Sequence, residues 1–327
     1  MEKLSIFETK NHPKMESCHA SSIIALPNNE LYATWWAGTR EKARDANIWG
    51  ARYNSGEPAA WSEPRVIGGT PDHFNGTPVL YLDPNHRLFL FYRSMHHGRI
   101  IKGGHTMTDI RFQTSEDLGK TWDDWQYLRK LWCRVIRCKA IRLPSGRVIM
   151  PFHRELFQMQ SRFYINDDPY LKKPWKTVGR LKVKGGCLEP SVCYTKSEKL
   201  LCSMRTYKAG RVYFAESHDE GDTWTEPVPS KVPNPNSQTD IICLKNGHIL
   251  MACNPIARGR EELSIIRSLD DGKSWDMDNK YVVESEPNAK FSYPCLYQSG
   301  DGVIHMSYTY KREAIKHFTF RESECFE

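Results

Sequence analysis

Polar and charged side chains recur along this 327-residue chain beside short apolar segments. One set lies five residues after the start of an apolar run, and a second set lies where the preceding run begins. The first set includes Arg93, His153 and Arg205, and the second includes His19, Lys139, Glu189 and Tyr293. Most of these residues are cationic, and arginine binds carboxylates through paired hydrogen bonds. Brought together, they predict a binding site for an anion.

The segments that must position these residues are repeats. The motif S-x-D-x-G-x-T/S-W, an Asp box, occurs at residues 115–122, 217–224 and 268–275. Its Asp, Gly and Ser/Thr residues suit a tight turn, and its Trp supplies a large apolar anchor. With degenerate copies that end at Trp61 and Trp175, the tryptophans are 61, 53, 49 and 51 residues apart. A period of roughly 50 residues is typical of propellers and other repeat arrays.

A second repeat indicates the number of units. Apolar runs that follow turn signals begin at six positions: Leu31, Leu88, Val148, Leu200, Ile249 and Val303. Each unit reads as four short strands separated by turns, which is typical of all-β structure. The sixth unit ends after its third strand, AIKHFTF, so the N-terminal KLSIFETK is expected to supply the fourth. We predict one domain over residues 1–327, an all-β, six-bladed β-propeller with four-stranded antiparallel blades, closed by the N-terminal strand.

Propeller geometry predicts where the polar residues meet. The first strand of each blade lines the central channel, and the second runs back beside it. The entries of the first strands, the ends of the second strands and the loops that follow therefore share one mouth of the channel. Two such loops carry charge, the TREKARD segment with Arg40 and Asp45, and the RGREELSI segment with Arg260.

At this point the chain resembles a known family. The Asp boxes, followed in order by EPSV, SMRT, the NP-to-RGREELSI segment and FSYP, are similar to the sialidase superfamily of Asp-box (BNR) propellers over nearly the whole sequence. The resemblance implies that Tyr293 of FSYP is the catalytic tyrosine and that Glu189 of EPSV deprotonates it. It also implies that Arg205 and Arg260 bind the substrate carboxylate.

The resemblance further implies that Arg40 is the family's loop arginine and that Asp45 is its general acid. One segment departs from the family pattern. Where sialidases carry an arginine within a Phe/Tyr-Arg-Ile-Pro segment, this chain has Cys18-His19-Ala20-Ser21. His19 therefore takes the place of the first of three carboxylate-binding arginines.

The implied chemistry is consistent in itself. A carboxylate on the anomeric carbon of a sugar repels an anionic nucleophile, so a neutral tyrosine suits such a substrate. The ordinary pKa of tyrosine is about 10, so Glu189 must accept the proton as attack proceeds. Asp45 must be protonated to act as an acid, which an apolar wall from Trp35 or Trp36 would favour. We predict a retaining, sialidase-like exo-glycosidase that removes a terminal acidic sugar, sialic acid or a related ulosonic acid.

Two other functions remain open. One is a uronate-directed lyase or glycosidase, in which His19 or Tyr293 abstracts a proton; the other is a glycan-binding propeller without turnover. Structural roles are also open, since Glu189 and Arg205 could form an inter-strand salt bridge. Four residues are predicted to bind substrate from their repeat position or from the family alignment: His19, Arg93, Lys139 and His153.

Composition limits the partners. The net charge of +7 is scattered along the chain and accompanies no nucleic-acid-binding motif, so we expect an acidic carbohydrate and no nucleic acid. No apolar run reaches 18 residues and no leader precedes the first repeat, so we expect no membrane segment and a cytoplasmic location. The ten cysteines include no C-x-x-C pair, which favours free thiols. We expect no metal and no cofactor, because no histidine spacing suits a metal site.

Overall fold

The fold was analysed in a computed structural model that describes residues 1–54, 56, 59–101, 105–130, 133–155 and 158–326. Its strands form six antiparallel sheets, numbered here as blades 1 to 6 in chain order. Blade 1 comprises β2 (Ser17–Ala25), β3 (Leu31–Gly38), β4 (Asn47–Asn54), β5 (Ala60–Trp61) and β6 (Arg65–Gly68). Blade 2 comprises β7 (Phe74–Leu82), β8 (Leu88–Ile101), β9 (His105–Ser115) and β10 (Gln126–Arg129). Blade 3 comprises β11 (Arg134–Ile136), β12 (Ile141–Arg142), β13 (Val148–Arg154), β14 (Gln160–Asn166) and β15 (Lys176–Leu181).

The remaining blades have the same four-stranded order. Blade 4 comprises β16 (Cys187–Tyr194), β17 (Leu200–Thr206), β18 (Arg211–Ser217) and β19 (Val228–Pro233). Blade 5 comprises β20 (Asp240–Cys243), β21 (Ile249–Cys253), β22 (Glu262–Ser268) and β23 (Asp276–Ser285). Blade 6 comprises β24 (Phe291–Gln298), β25 (Ile304–Tyr310), β26 (Ala314–Phe320) and β1 (Glu2–Glu8). The short helices are Thr9–Asn11, Pro27–Asn29 and Glu322–Cys325.

The N-terminal strand closes the ring as predicted. Strand β1 pairs antiparallel with β26, from Glu2 opposite Thr319 to Glu8 opposite Ala314. This pairing covers the edge that blade 6 would otherwise expose. The six-bladed, four-stranded propeller is therefore confirmed. Blades 1 and 3 carry an extra strand segment because the outer strand of the former and the inner strand of the latter are interrupted.

Packing between blades forms the core. Strand β3 is buried along its whole length, since neighbouring blades cover both of its faces. The Asp-box tryptophans lie on the preceding blade: Trp224 of blade 4 stacks on Phe163 of blade 3 at 4.1 Å between ring centroids. Trp275 of blade 5 stacks in the same way on Phe214 of blade 4 at 5.3 Å. The repeat motif thus joins consecutive blades at the rim, away from the channel.

No helix in the described ranges is long and apolar enough to cross a membrane. All ten cysteines are free thiols, and most of them are buried.

Candidate functional site

Four inner strands are irregular where they enter the channel. The pairing register of β2, β7, β16 and β24 with the second strand of each blade shifts near its start. At each shift one residue has a left-handed backbone: Ala20 (φ 62°), Thr77 (φ 48°), Glu189 (φ 47°) and Tyr293 (φ 58°). Such a conformation costs a non-glycine residue roughly 1–3 kcal/mol and is found at functional sites. A bulge re-aims the side chains of its strand, and all four residues line one cavity.

This cavity has a volume of about 200 Å³. Its apolar walls are Trp36, Met95, Val135 and Leu188. Its polar lining residues are His19, Glu41, Lys42, Thr77, Arg93, His153, Glu155, Glu189, Arg205 and Tyr293. It therefore presents many hydrogen-bonding groups to a small polar molecule.

Tyr293, Glu189 and Arg205 form one hydrogen-bonded group in this cavity. The Tyr293 hydroxyl donates to Glu189 Oε1 at 2.7 Å. Arg205 Nη1 donates to Glu189 Oε2 at 2.5 Å and to the Tyr293 hydroxyl oxygen at 3.0 Å. Arg205 Nε is held in turn by Asn236 Oδ1 at 2.7 Å. Tyr293 and Glu189, which are 104 positions apart in the chain, are thus close enough for a proton to pass between them.

The pKa values of Glu189 and Tyr293 are shifted in opposite directions. Burial opposes ionisation of Glu189, but Arg205, His153 and the Tyr293 hydroxyl together hold the pKa of its carboxyl below the usual range. Burial, and then the Glu189 carboxylate, raise the pKa of the Tyr293 phenol. The proton therefore resides on Tyr293 at neutral pH, and Glu189 is positioned to accept it.

Two more arginines face the Tyr293 ring. The Arg260 guanidinium lies 5.6 Å from the ring centroid and donates to the Asn236 carbonyl at 3.0 Å. The Arg137 guanidinium lies 4.9 Å from the ring centroid, and its Nη2 donates to the Tyr293 carbonyl at 3.1 Å. Gln238 Nε2 braces the next carbonyl, that of Pro294, at 3.2 Å. Repeat position did not select Arg137, which belongs to the interruption between β11 and β12.

Both histidines predicted for the site reach it. His19 packs edge-on against Tyr293 with 4.2 Å between ring centroids, and its Nδ1 lies 2.9 Å from Thr309 Oγ1. Burial, and then the nearby arginines, lower the pKa of His19 well below its usual value. His153 Nδ1 accepts a hydrogen bond from the Glu189 amide at 3.3 Å. His153 therefore supports the strained Glu189 backbone, and His19 is neutral.

Known proteins share the fold of this chain. Residues 29–306 match the family described as a BNR repeat-like domain. This chain belongs to that BNR repeat-like family. As a fold, the BNR propeller is similar to a Hadza microbial sialidase, with 16% identity, a TM-score of 0.82, and coverage of 99% of this chain and 69% of the other.

Two further solved structures have a similar fold. The intramolecular trans-sialidase from Ruminococcus gnavus has 18% identity and a TM-score of 0.80, with 98% of each chain covered. An α-L-arabinofuranosidase from Fusarium graminearum has 15% identity and a TM-score of 0.68, with 99% of each chain covered. None of the curated proteins matches this BNR propeller.

Four residues predicted for the site are not among the described residues that line the cavity: Arg40, Asp45, Lys139 and Arg260, although Arg260 faces the Tyr293 ring from 5.6 Å. Arg40 and Asp45 are exposed, and the Asp45 carboxylate accepts hydrogen bonds from the Thr39 amide at 3.2 Å and the Thr39 hydroxyl at 3.1 Å. Their loop contributes Glu41 and Lys42 to the cavity instead. The tight turn closed by Asp45 directs its carboxylate to Thr39, which the sequence pattern alone did not indicate.

Lys139 was predicted to bind substrate, but the structure places it outside the cavity. Its Nζ donates to Asp240 Oδ2 at 2.6 Å and to the Ile241 carbonyl at 2.9 Å. It lines a larger cavity formed by the far ends of the inner strands, at the opposite mouth of the channel. The repeat count assumed an unbroken first strand in blade 3. Because that strand is interrupted between Ile136 and Ile141, the residue count no longer gives the side-chain position.

Proposed function

We propose that this BNR propeller is a retaining exo-glycosidase that removes a terminal acidic sugar, with Tyr293 as its nucleophile. The observation that carries the proposal is the 2.7 Å hydrogen bond from the Tyr293 hydroxyl to Glu189, with Arg205 bound to both groups. A nucleophile hydrogen-bonded to an oriented base is the arrangement that covalent catalysis requires. The sialidases and the arabinofuranosidase of similar fold support a glycosidase.

In the proposed reaction, the Tyr293 oxygen bonds to the anomeric carbon while its proton moves to Glu189 Oε1. The bond to the leaving oxygen breaks, and an acid protonates that oxygen. Water then attacks the same carbon and gives a proton to the deprotonated acid. The bond to the Tyr293 oxygen breaks as Glu189 returns its proton to that oxygen, and two displacements give retention. Arg205 and Arg260 would stabilise negative charge on the phenol oxygen as it develops.

The acid is proposed to come from the loop at residues 39–46. Family resemblance assigns this role to Asp45, whereas Glu41 is the loop carboxylate that lines the cavity, where Arg312 Nη2 donates to it at 2.8 Å. Asp45→Asn and Glu41→Gln distinguish the two. Loss of the acid should slow substrates with poor leaving groups much more than fluorogenic substrates, whose leaving group needs little protonation.

Two classes of acidic sugar are proposed as substrates. Sialic acid and related ulosonic acids are the first candidates, because the family resemblance assigns carboxylate binding to Arg205 and Arg260. A uronic acid is the second, and it is favoured by one observation. His19 replaces the first of those arginines and is neutral in its buried setting.

Tyr293→Phe tests the proposal against a panel of fluorogenic sialosides, uronides and neutral glycosides, with ultraviolet detection of unsaturated lyase products in parallel. We expect hydrolysis of an acidic glycoside by the wild-type protein and a loss of at least about 1,000-fold in the variant. Tyr297→Phe is the matched control, since Tyr297 lies on the same strand at the opposite mouth. Near-full activity of Tyr293→Phe would contradict the tyrosyl mechanism.

A further inference from the structure

One wall of the cavity is formed by residues of blades 1 and 2. His19 Nε2, Thr77 Oγ1 and Arg93 Nε are buried and have no hydrogen-bond partner among the residues that the structure describes. The three residues are 3%, 7% and 7% exposed, and all of them line the cavity. Buried polar groups in proteins are nearly always paired. Three unpaired atoms in one wall therefore point to a ligand that pairs with them.

Arg93 also brings a charge that no described carboxylate balances. Its guanidinium packs over the Phe74 ring at 5.4 Å. The other carboxylates of the cavity are engaged elsewhere: Glu189 by Arg205 and Glu41 by Arg312, while Glu155 Oε1 lies 3.5 Å from His153 Nε2. A buried cation without a counter-ion is strongly unfavourable. An anionic ligand group would provide that counter-ion.

The arginines near Tyr293 are less available to a ligand. Arg205 already donates to Glu189, to Tyr293 and to Asn236, and Arg260 donates to the Asn236 carbonyl. Arg93 therefore has the larger unused capacity to bind an anion.

Local backbone geometry places the three groups side by side. Gly76 is the register partner of Arg93 across β7 and β8, so Thr77 follows directly beside the arginine. A Cβ at position 76 would lie only 2.7 Å from the Phe74 ring and 3.4 Å from Trp36, so glycine permits this close approach. Trp36 in turn contacts the His19 ring edge-on, with 6.1 Å between centroids. His19, Thr77 and Arg93 thus belong to one continuous wall.

We propose that Arg93, Thr77 and His19 form a subsite for a carboxylate that the sugar bears away from its reacting carbon, as in a terminal hexuronic acid. Arg93 supplies the charge and Thr77 donates its hydroxyl proton. The Ala20 amide donates to Thr309 Oγ1 at 3.1 Å, and His19 Nδ1 lies 2.9 Å from the same oxygen. In the proposed subsite the Thr309 hydroxyl donates to His19 Nδ1, and the ring proton lies on Nε2. His19 Nε2 then donates to the same carboxylate. The inference rests on the proposed function in one respect: it assumes that the reacting carbon of the sugar lies at Tyr293. Tyr293 belongs to blade 6 and not to this wall.

Binding measurements test the subsite without requiring turnover. The ligands are methyl glucuronide and methyl galacturonide, each compared with its neutral hexoside, together with methyl N-acetylneuraminate, all titrated calorimetrically into protein carrying Tyr293→Phe. We expect at least one uronide to bind more tightly than its hexoside. Adding Arg93→Met should lower the affinity for that uronide about 10- to 100-fold and leave hexoside binding unchanged. Thr77→Val, which removes only the hydroxyl, should cause a smaller loss.

Arg87→Met is the matched control, because Arg87 packs over Phe89 at 5.5 Å on the same blade but does not line the cavity. It should leave uronide affinity unchanged. Arg93→Lys keeps the charge and should retain part of the preference for the uronide over its hexoside. If Arg93→Met fails to fold, Arg93→Lys and Thr77→Val test the subsite instead.

The subsite is overturned if uronides bind no better than hexosides, or if Arg93→Met weakens both ligands equally. It is also overturned if the sialoside is preferred and its affinity is insensitive to Arg93→Met, a result that leaves the proposed function standing. Conversely, a uronide preference that depends on Arg93, without hydrolysis of any fluorogenic glycoside by the wild-type protein, retains the subsite and overturns the proposed function.

Discussion

Carboxylates occupy two contrasting settings in this propeller, the Asp-box turns at the rim and the cavity at the mouth of the channel. In the first turn, Asp117 accepts hydrogen bonds from the Ser115 hydroxyl at 2.7 Å, the Thr121 amide at 2.8 Å and the Thr121 hydroxyl at 2.7 Å. The amide and hydroxyl of Thr121 are the main reasons why the pKa of Asp117 falls to about 2. The same contacts recur around Asp219 and Asp270.

The cavity has the opposite character. Left-handed backbones occur in both regions, at Leu118 in the first turn and at Glu189 and Tyr293 in the cavity, but the cavity wall formed by blades 1 and 2 has buried polar atoms without a partner among the described residues. The turns satisfy their own hydrogen bonds and so stabilise the hairpins they close. The cavity contains polar groups without a partner among the described residues, with which a bound ligand could pair. Identical residue types thus serve folding in one region and are available for chemistry in the other.

The largest effect on turnover should come from replacing Glu189, the cavity carboxylate that is hydrogen-bonded to Tyr293. Glu189→Gln removes the proton acceptor of Tyr293, so turnover of the best fluorogenic substrate should fall by about 100- to 10,000-fold while the protein remains folded. Glu216→Gln is the matched control: Glu216 also accepts from a cation, Lys199 at 2.7 Å, but on the blade 4 strand beyond the cavity. If Glu189→Gln kept turnover within about threefold of the wild-type value, the cavity carboxylate would be as structural as those of the turns.

The sequence predicted the propeller well because its repeats are local. Each Asp box specifies one turn and one tryptophan, so counting along the chain found the six blades and the closing strand. The same counting placed Arg93, His153 and Arg205 at the cavity, since alternation along a regular strand fixes which side chains face the channel. It also found Glu189 and Tyr293, because bulges lie at corresponding positions of their blades.

Counting failed in the interrupted strand of blade 3, and the family resemblance failed to place Asp45 in the cavity. The interruption of blade 3 moved Lys139 to the opposite mouth and placed Arg137 behind Tyr293. The Thr39 contacts hold Asp45 at the surface. A proline after Thr77, Glu189 and Tyr293 marks three of the four bulges in the sequence. That signal could have been used, because a proline within a strand often accompanies a bulge.

Two buried histidines outside the cavity predict how the stability of the protein depends on pH. His305 and His317 lie far from the cavity lining, with His305 Nδ1 at 3.1 Å from His317 Nε2. Burial lowers the pKa of His305 to about 4 and that of His317 to about 3. Their stabilising contribution is complete above the unfolded pKa of about 6.5 and is lost as the pH falls, because the unfolded chain then binds more protons.

Between about pH 6 and pH 5, the free energy of unfolding should therefore fall by up to about 1.4 kcal/mol per pH unit for each such histidine, and the contribution of His305 should decrease as the pH approaches 4. Chemical denaturation across this range measures the slope, and His317→Gln should make it shallower. An unchanged slope in the variant would show that this pair does not control acid stability. Carboxyl groups with lowered pKa values, such as Asp117 and Glu189, add to this slope below about pH 5.

A rim tryptophan should affect stability and spare chemistry. Trp224 stacks on Phe163 at 4.1 Å, but it is only partly buried, so Trp224→Ala should lower the free energy of unfolding by about 2–3 kcal/mol, less than the full loss for a buried tryptophan. Turnover measured well below the melting temperature should stay the same. Trp224→Phe retains a stacked ring and should recover part of the stability. A fall in turnover without loss of stability would show that the rim affects the chemistry of the cavity, contrary to this prediction.

The smallest effect should come from a turn carboxylate. Asp117→Ala removes the acceptor of three hydrogen bonds in a half-exposed turn, so the free energy of unfolding should fall by about 1 kcal/mol, as for a lost helix cap. Asp117→Asn should cost less, because one amide oxygen still accepts from the Thr121 amide. Glu116→Ala, one residue away and exposed, should be nearly neutral by denaturant unfolding. Because the turn satisfies its own hydrogen bonds, turnover should not change in any of the three variants, and a variant that slowed turnover while unfolding normally would place an Asp box in the catalytic machinery after all.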